Sequence, residues 1–535
     1  MNQSPEIIGD SLLSRGVKRV YSILPLVFGL ATVHAAAPID IGSHKQLFID
    51  DKFIASSNGI ELTMNTPAKI GQPVLASDMP WDDEESASVG WYSSVIKDGD
   101  KIRIWGSGQA LLPVRMEPGG PVVNLLPYAE STDGIHFTKP DPALIAYDKA
   151  TAEIEKHGDI HGTGVWIDPK APPSQRYKTQ AKYAYTPPDG TTRAGIRFLA
   201  SPDGYNWTVF STQSLGAVDT QTVVFWDEAE QKYLMYTRDN PGGGTPLRRR
   251  VVRRIESRDL LDWENDVYVM DADAIDNSLH NTPTPQPPVD YYGATVFKYP
   301  DTGSDSAYIM MAHAYWHWQG RPEEDQRGNP SYHTFSQVVL APAKIDVRLL
   351  TSRNGIDFLR QGNRKPFIAP GLRGTHSSKF VWSLPAPIRM GNELWVYYVG
   401  DNRDHDGFID PAASGHRRSI ERAILRLDGF VSADAAYTGG EIITPLIKFS
   451  GRKLELNMDP GGGGFVQVEL LDENSRPIPG YTRREATRLY DNAVNVTVTW
   501  GDNNSVAAFA GKPVKLRFLM RDCKLYAFHF VDRNA

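Results

Sequence analysis

Short runs in which hydrophobic and polar residues alternate follow one another along most of the chain, and polar turns separate them. Alternation with a period of two is typical of β-strands with one buried face. In five places a hydrophobic run, a polar turn and a run rich in Tyr or Trp form one unit, which predicts five hairpins. These hairpins span 90–108, 164–183, 219–240, 291–315 and 381–402.

A turn motif recurs four times between these hairpins. Each copy has a Ser, then Asp or Asn two residues later, then an aromatic residue four positions further on. In three copies a Gly follows the Asp or Asn and supplies the positive φ that a tight turn needs. The motif therefore predicts four outer hairpins. The copies begin at Ser131, Ser201, Ser257 and Ser352.

Five inner and four outer hairpins predict an all-β protein with a five-bladed β-propeller over 38–436. The alternative is an array of separate β-sandwich domains, which would not be expected to share one turn motif. We expect a strand near residue 430 to close the ring. Five further alternating strands over 437–535 predict a small C-terminal β-sandwich. Such a module usually supports the propeller or binds carbohydrate, and we expect the structural role by default.

Residues 1–37 have the pattern of a secretory signal peptide, with basic residues, an apolar run and small residues at 35–37. The run is short for a membrane span, although an uncleaved anchor is the alternative. We therefore expect a secreted or periplasmic bacterial protein with no membrane contact after signal cleavage. Cys523 is the single cysteine, so no intramolecular disulfide can form, and we expect it in the core.

The charge balance argues against a nucleic acid partner, because 57 Lys and Arg oppose 64 Asp and Glu for a formal charge of −7. No serine-hydrolase elbow, dinucleotide fingerprint or phosphate loop occurs in a convincing context. We expect no nucleotide or redox cofactor and leave only a structural calcium ion open. His313, His317 and His333 would bind a metal only if they met in space, so no metal site is assigned.

The positions just ahead of the inner hairpins are the catalytic candidates. Inner strands of a propeller converge on a central channel, so these positions face one funnel. They are rich in carboxylates, which suits glycosidic bond cleavage by one carboxylic acid and a second carboxylate across the sugar ring. A solvated polar rim is the simpler alternative. The candidates are Glu85, Asp159, His161, Asp219 and Asp290.

Other residues near the predicted funnel are candidates for holding the sugar. An Arg can clamp a carboxylate or sulfate with two hydrogen bonds, and an aromatic ring can stack on a sugar ring. A structural Arg–Asp ion pair is the alternative. The substrate-binding candidates are Trp91, Arg238, Asp239, His376, Arg403, Asp404 and His405.

Several segments besides the turn motif carry a family resemblance: LFIDDKFI at 47–54, DPKAPPSQRYK at 168–178, FWDEAEQKYLMYTRDN at 225–240, ELWVYYVGDNRDHDG at 393–407 and TGGEIITPLIKFSGRKLELN at 438–457. With them the chain resembles secreted bacterial five-bladed glycosidases, related in fold to glycoside hydrolase families 32 and 43. The resemblance implies Asp219 as transition-state stabiliser and Asp290 as general acid. It leaves the remaining acid to Glu85 or Asp159, and a His161 that faced the sugar would transfer the proton instead.

The function expected from these observations is that of a secreted glycoside hydrolase acting on a plant or algal polysaccharide or oligosaccharide. One alternative is a polysaccharide lyase on a propeller, in which a His, Tyr or Lys base acts beside an Arg that neutralises a uronate. His161, His376 and Arg403 would then carry the chemistry. The other alternative is a carbohydrate-binding surface protein without working acids. The sequence leaves the oligomeric state open.

Overall fold

A computed structural model describes most of the chain after residue 36. The described residues are 37–76, 89–106, 126–139, 162, 164–185, 190, 193–213, 215, 220–242, 249–277, 289–303, 306–317, 343–405 and 409–532, with the short strands at 114–115, 122–123, 144–145 and 158–159. All elements below belong to the second of two compact units, Pro38–Ala535.

Five four-stranded antiparallel units follow one another along the chain, and we number them blades 1 to 5. In blades 2 and 5 the inner position is shared by two short strands. From the inner strand outward, blade 1 contains Ser94–Asp98, Lys101–Trp105, Leu126–Ser131 and Leu144–Ile145; blade 2 contains Gly158–Asp159 with Trp166–Ile167, Tyr177–Tyr185, Arg193–Ser201 and Thr208–Gln213; blade 3 contains Val223–Asp227, Lys232–Asp239, Val251–Ser257 and Trp263–Met270; blade 4 contains Val289–Lys298, Tyr308–His317, Ala343–Ser352 and Leu359–Arg360; and blade 5 contains Phe380–Ser383 with Ile388–Met390, Glu393–Asp401, Arg418–Arg426 and Ala68–Ala76.

The all-β fold predicted from the alternation is confirmed. In the described residues, helical structure is confined to the α-helical turn Ala274–Asn277 and the 3-10 turns Pro173–Gln175, Gly362–Arg364 and Ala507–Phe509. A separate two-stranded ribbon pairs Val114–Arg115 with Val122–Val123.

Hydrogen bonds between blades show that the inner strands meet around one axis, as in a β-propeller. Gln221, ahead of blade 3, donates to the carbonyl of Ser93 in blade 1 at 2.8 Å and accepts from the indole of Trp382 in blade 5 at 2.8 Å. The backbone N–H of Val165 in blade 2 donates to the Ser94 hydroxyl at 2.9 Å. These side chains are almost fully buried, so the contacts span the centre of the ring.

The ring is closed by a strand from the amino-terminal side of the propeller. Ala68–Ala76 forms the outermost strand of blade 5 and pairs with Arg418–Arg426. The expectation that a strand near residue 430 closes the ring is therefore wrong. Val431–Ala435 leaves the propeller and pairs in the sandwich instead.

The turn motif joins strands 3 and 4 in blades 1 to 4. In the copy at Ser352, the Ser hydroxyl accepts from the N–H groups of Asn354 and Gly355, and the Asn354 side-chain oxygen accepts from Ile356 and Asp357. The four copies share this hydrogen-bond pattern. Blade 5 has no such turn because its fourth strand comes from the other end of the propeller, which explains four motifs for five blades.

Each of three motif turns also joins its blade to the preceding one. The carbonyls of Gly204 and Gly355 accept from the Trp105 indole at 2.9 Å and the Tyr236 hydroxyl at 2.8 Å. The carbonyl of Gly134 accepts from Tyr397 of blade 5 at 2.8 Å, so the same contact links the last blade to the first. The fit is tight, because a Cβ at any of these glycines would approach the aromatic partner within 2.6–2.7 Å.

The β-sandwich includes both ends of the described chain, so the boundaries predicted at 38 and 436/437 are wrong. Residues 39–64 and 431–435 belong to the sandwich, because Ile60–Met64 pairs with Val431–Ala435 and that strand with Lys515–Val531. Phe48 packs on Phe518 and Phe528 in its core. Its strands are Ile39–Gly42, Gln46–Leu47, Ser56–Asn58, Ile60–Met64, Val431–Ala435, Gly440–Ile443, Ile447–Phe449, Lys453–Leu471, Ala493–Thr497 and Lys515–Val531.

Cys523 lies in this core, as predicted, and burial raises the pKa of its thiol to about 12. In the part of the chain that the structure describes, no helix has the length and apolar composition to cross a membrane.

Candidate functional site

The inner strand of blade 4 carries a buried tyrosine in its amino-terminal half, at the end of the strands where the sequence predicts the funnel. Tyr292 is 5% exposed, and its hydroxyl lies 3.2 Å from Nε2 of His405, which follows strand 2 of blade 5. Tyr92 of blade 1 hydrogen-bonds to the same phenol. The Tyr292 ring packs edge-on against Trp382 of blade 5, with ring centres 5.6 Å apart. Three blades thus meet at one phenol.

Blade 3 adds two guanidinium groups to this centre. The Cζ atoms of Arg238 and Arg250 lie 4.7 Å and 4.6 Å from the centre of the Tyr292 ring. Burial raises the pKa of Tyr292, but the positive charges of His405, Arg238 and Arg250 lower it more, to about 7. A phenol that titrates near neutral pH can donate or accept a proton under ordinary conditions.

Asp290 is the one catalytic candidate whose side chain is described, and it is held in an ion pair. It is 5% exposed, its Oδ2 accepts from Nη1 of Arg250 at 2.8 Å, and its Oδ1 accepts from the Arg250 backbone N–H at 3.2 Å. These charge-assisted hydrogen bonds favour the carboxylate form. This pairing favours a fixed negative charge over the general-acid role that the resemblance implied. We call Tyr292, His405, Arg238, Arg250 and Asp290 the floor cluster.

The other catalytic candidates lie outside what the structure describes. Glu85, His161 and Asp219 belong to segments that are not described, and of Asp159 only the strand Gly158–Asp159 is described. Their places in the funnel stay predictions.

A second buried carboxylate lies beside the floor cluster. Asp401 ends strand 2 of blade 5 and accepts from Nε of Arg418 at 2.8 Å, while Nε2 of His416 lies 2.9 Å away. Burial raises the pKa of Asp401, but Arg418 and His416 hold it down at about 2. The Trp91 indole also donates to it at 3.2 Å. Asp401 is therefore fully paired, and with its partners it packs against the floor cluster.

Trp91, one of the substrate-binding candidates, is buried in this structure. Its side chain is 3% exposed, because Phe380 stacks on it at 5.0 Å and His405 at 5.9 Å between ring centres. The Arg418 guanidinium lies 4.9 Å from the ring centre. An aromatic residue at a strand start can face the core as easily as the funnel, and here it faces the core.

The remaining predicted substrate-binding residues do not join the floor cluster. Asp239 accepts from the Tyr268 hydroxyl of the outermost strand of blade 3 at 2.7 Å, so its side chain does not pair with Arg238. His376 is half-buried near Glu421, and burial lowers its pKa. Asp404 is buried, with Nζ of Lys379 3.7 Å away. The backbone N–H of Arg403 donates to Asp401.

The opposite end of the channel has a different character. A cavity of about 510 Å³ opens among the carboxyl-terminal halves of the inner strands. Apolar side chains line most of it, with Lys97, Lys298 and Arg389 among the polar exceptions. Its walls include Val95, Val165, Val224, Val296 and Ile388. The lining of this cavity is therefore more apolar than the floor cluster.

His313 is a core residue of blade 4. It stacks on Trp382 with ring centres 3.7 Å apart, Nε2 lies 2.9 Å from the Ser383 hydroxyl, and burial holds its pKa well below the usual value. Among the described residues, no group of three or more His, Cys, Asp or Glu side chains could hold a metal ion.

Sequence reasoning found three members of the floor cluster, Arg238, Asp290 and His405, and missed the other two. Arg250 is absent from the candidates above, although it directly precedes strand 3 of blade 3. Tyr292 follows Asp290 by two residues and lies at a β-bulge, because the pairing with strand 2 shifts register between Tyr291 and Gly293. Looking two residues beyond each candidate acid would have found it.

Comparison with known proteins gives no family assignment. No family model and no curated protein matches the chain. Solved structures that are similar include an N-acetylgalactosamine deacetylase from F. plautii (TM-score 0.41, 14% identity, 69% of this chain and 96% of that one) and a β-1,2-mannobiose phosphorylase from Listeria innocua (0.40, 10%, 68% and 97%). A family 43 arabinoxylan arabinofuranohydrolase from Bacillus subtilis matches over 88% of this chain and 99% of its own (0.36, 13%).

Proposed function

We propose that this protein is a secreted glycoside hydrolase that cleaves an acidic plant or algal polysaccharide or oligosaccharide in the funnel. The floor cluster is the observation that supports this proposal. It brings a buried carboxylate, a phenol, an imidazole and two guanidinium groups from three blades to one point on the axis. Convergent polar groups in a cleft of aromatic walls are typical of a ligand site.

Hydrolysis of a glycosidic bond needs a proton donor and a second carboxylate beside an oxocarbenium-like transition state. Asp290 is paired with Arg250 and contributes negative charge, not a proton. The proton donor and the nucleophile or base then fall to Glu85, Asp159 and Asp219. Each of these acids precedes or begins an inner strand of blade 1, 2 or 3 in the sequence.

The charge of the floor cluster favours an acidic sugar. The guanidinium groups of Arg238 and Arg250 both lie against the Tyr292 ring there. Guanidinium is planar and binds carboxylate or sulfate through parallel N–H groups. We therefore propose a uronate or a sulfated sugar as the substrate class.

A second candidate function is a polysaccharide lyase, and the acidity of Tyr292 favours it. A lyase removes the proton next to a uronate carboxylate, and the leaving sugar departs with the electron pair, which gives an unsaturated uronide. Tyr292 with its pKa near 7 could act as the base, and Arg238 or Arg250 could neutralise the uronate. In this mechanism Tyr292 replaces His161, His376 and Arg403.

The test of hydrolysis is product release from a panel of neutral and acidic glycans by wild type, Asp219→Asn and Asp290→Asn. We expect saturated reducing ends from acidic glycans, at rates that fall in both variants. The matched control is Asp100→Asn, an exposed carboxylate on the hairpin turn of blade 1, which should keep the wild-type rate. Binding without turnover on every glycan would overturn the proposal.

The test of the lyase candidate is Tyr292→Phe. A lyase would lose the absorbance of unsaturated product in this variant, and its wild-type rate would rise with pH through about 7 as the phenol ionises. A hydrolase would release saturated sugar from both proteins. In either case the phenolate absorbance of wild type should contain a step near pH 7 that is missing in Tyr292→Phe.

A further inference from the structure

The outer face of the sandwich carries a row of aromatic and arginine side chains that runs across its strands. Phe465 is paired with Arg521 of the next strand, and on its other side it packs against Tyr490 with ring centres 6.4 Å apart. Beyond Arg521 lies Tyr437, in the turn between Val431–Ala435 and Gly440–Ile443. We call Tyr490, Phe465, Arg521 and Tyr437, together with Arg488, the sandwich row.

The guanidinium groups of the row lie against its rings. The Cζ atom of Arg521 is 5.2 Å from the Phe465 centre and 5.5 Å from the Tyr437 centre, and that of Arg488 is 4.8 Å from Phe465. Arg521 is further held by donating to the carbonyl of Gly463 at 2.7 Å and 3.1 Å. The row is therefore an ordered surface, because each guanidinium is positioned by an aromatic neighbour.

The row leaves large aromatic surfaces and positive charge open to solvent. Tyr437 is 70% exposed and Tyr490 is 60% exposed. Within the described residues, neither Arg488 nor Arg521 forms an ion pair with a carboxylate, whereas Arg517 of the same strand pairs with Glu469 at 2.9 Å. An unneutralised guanidinium beside an exposed ring attracts an anion that can also stack.

We infer that the sandwich row is a second carbohydrate-binding site, separate from the funnel, for the chain of an acidic polysaccharide. Sugar rings would stack on Tyr437 and Tyr490, and their carboxylate or sulfate groups would bind Arg488 and Arg521. Neighbouring strands lie about 4.8 Å apart, so the row spans about 14 Å, enough for several successive sugar units. The identity of the ligand as a glycan rests on the proposed function.

The site would hold the enzyme on its polymer while the funnel acts on chain ends or branches. It would add polymer binding to the structural role expected for the sandwich. Short oligosaccharides that reach only the funnel would be processed independently of the row. Polymer binding and oligosaccharide cleavage should therefore respond to different substitutions.

The experiment is affinity electrophoresis of the full chain in gels that contain polygalacturonate, a sulfated galactan or neutral xylan, in an Asp290→Asn background. We expect retardation in the two acidic gels and a loss of at least about tenfold in affinity for the double variant Tyr437→Ala/Tyr490→Ala and for Arg488→Gln/Arg521→Gln. Arg476→Gln/Arg484→Gln, which also removes two exposed positive charges, is the charge-matched control and should keep its retardation.

Equal retardation of parent and row variants, or none of the parent in either acidic gel, would overturn the inference. Unfolding midpoints of the row variants should match the parent, since the altered side chains are on the surface. Cleavage of short oligosaccharides by the row variants in the wild-type background tests the funnel separately. If row-dependent binding persists while every glycan stays uncleaved, the second site stands and the proposed function fails.

Discussion

Buried carboxylates at the two ends of the inner strands have different kinds of hydrogen-bond partner. At the hairpin end, Asp98, Asp168 and Asp227 each accept a hydrogen bond from a tyrosine of the next blade. At the funnel end the partners change from blade to blade: Asp290 pairs with Arg250, and Asp401 pairs with Arg418 and His416.

Repetition distinguishes an acid that holds blades together from one that belongs to a site. Every pair of blades in a propeller presents a similar interface, so a contact that serves assembly can recur in the same place. The three tyrosines at the hairpin end, Tyr177, Tyr233 and Tyr308, all lie at the first or second residue of strand 2. Among the residues of the other blades that the structure describes, the floor cluster has no such counterpart, which favours a local purpose for its arrangement.

The largest expected effect is on stability, from Asp168→Ala at the hairpin end. Lys178, 1% exposed, would lose the carboxylate 3.2 Å from its Nζ, and Tyr233 would lose its acceptor. An uncompensated buried charge costs about 3–5 kcal/mol of unfolding free energy. Urea unfolding measures this loss, with Asp100→Ala on the nearby exposed turn as control. A loss below about 0.5 kcal/mol is typical of surface sites. It would show that Asp168 does not hold blades 2 and 3 together.

Asp290→Asn at the funnel end should lower activity and, because the buried Arg250 loses its partner carboxylate, stability as well. We expect kcat to fall by about 100-fold, which corresponds to about 2.7 kcal/mol, because the fixed negative charge beside the reacting sugar is lost. Asp290→Glu restores the charge and should recover part of the rate. Steady-state kinetics on folded protein measures both. A wild-type rate in Asp290→Asn would mean that this acid, like Asp168, is structural.

Gly355→Ala tests whether the motif turns lock the blades together. The new Cβ would lie 2.6 Å from the Tyr236 hydroxyl, at a φ of +68°. Gly391→Ala has a similar φ of +62° but meets nothing within 4 Å. Both variants should lose about 1 kcal/mol of unfolding free energy, because alanine is strained at a positive φ. The clash should lower the unfolding free energy of Gly355→Ala by about 1 kcal/mol more. Equal unfolding midpoints would show that the turn carries no interblade packing.

The blades were predictable because their signals are local. The alternation and the Ser-x-Asp/Asn turn each lie within segments of a few tens of residues. The structure contains the strands and turns that these patterns predict. The sandwich boundaries were not predictable, because Ile60–Met64 pairs with Val431–Ala435, nearly 370 positions away in the chain. No local pattern distinguishes a strand that pairs with a neighbour from one that pairs with the other end.

The site was predictable only where a charged residue flanks a strand. Arg238, Asp290 and His405 stand at such positions and do meet. Tyr292 lies inside a strand whose pattern reads as core, so its role depends on which charges the neighbouring blades bring to it. Trp91 is the converse case. An aromatic residue at this position is a reasonable candidate for contact with a sugar, but its neighbours bury it.

The smallest expected effect separates the tyrosines of the two ends. In Tyr308→Phe, Asp227 loses one hydrogen bond but keeps Nζ of Lys298 at 2.7 Å and the N–H of Ala229 at 2.9 Å. Because the carboxylate stays satisfied, we expect a loss of only about 1 kcal/mol in unfolding free energy and no change in pH–rate profile. Burial raises the pKa of Tyr308 far above neutral, so the phenolate step near pH 7 should persist in this variant. If Tyr308→Phe abolished that step, the phenol that titrates near pH 7 would be Tyr308 at the hairpin end and not Tyr292 in the floor cluster.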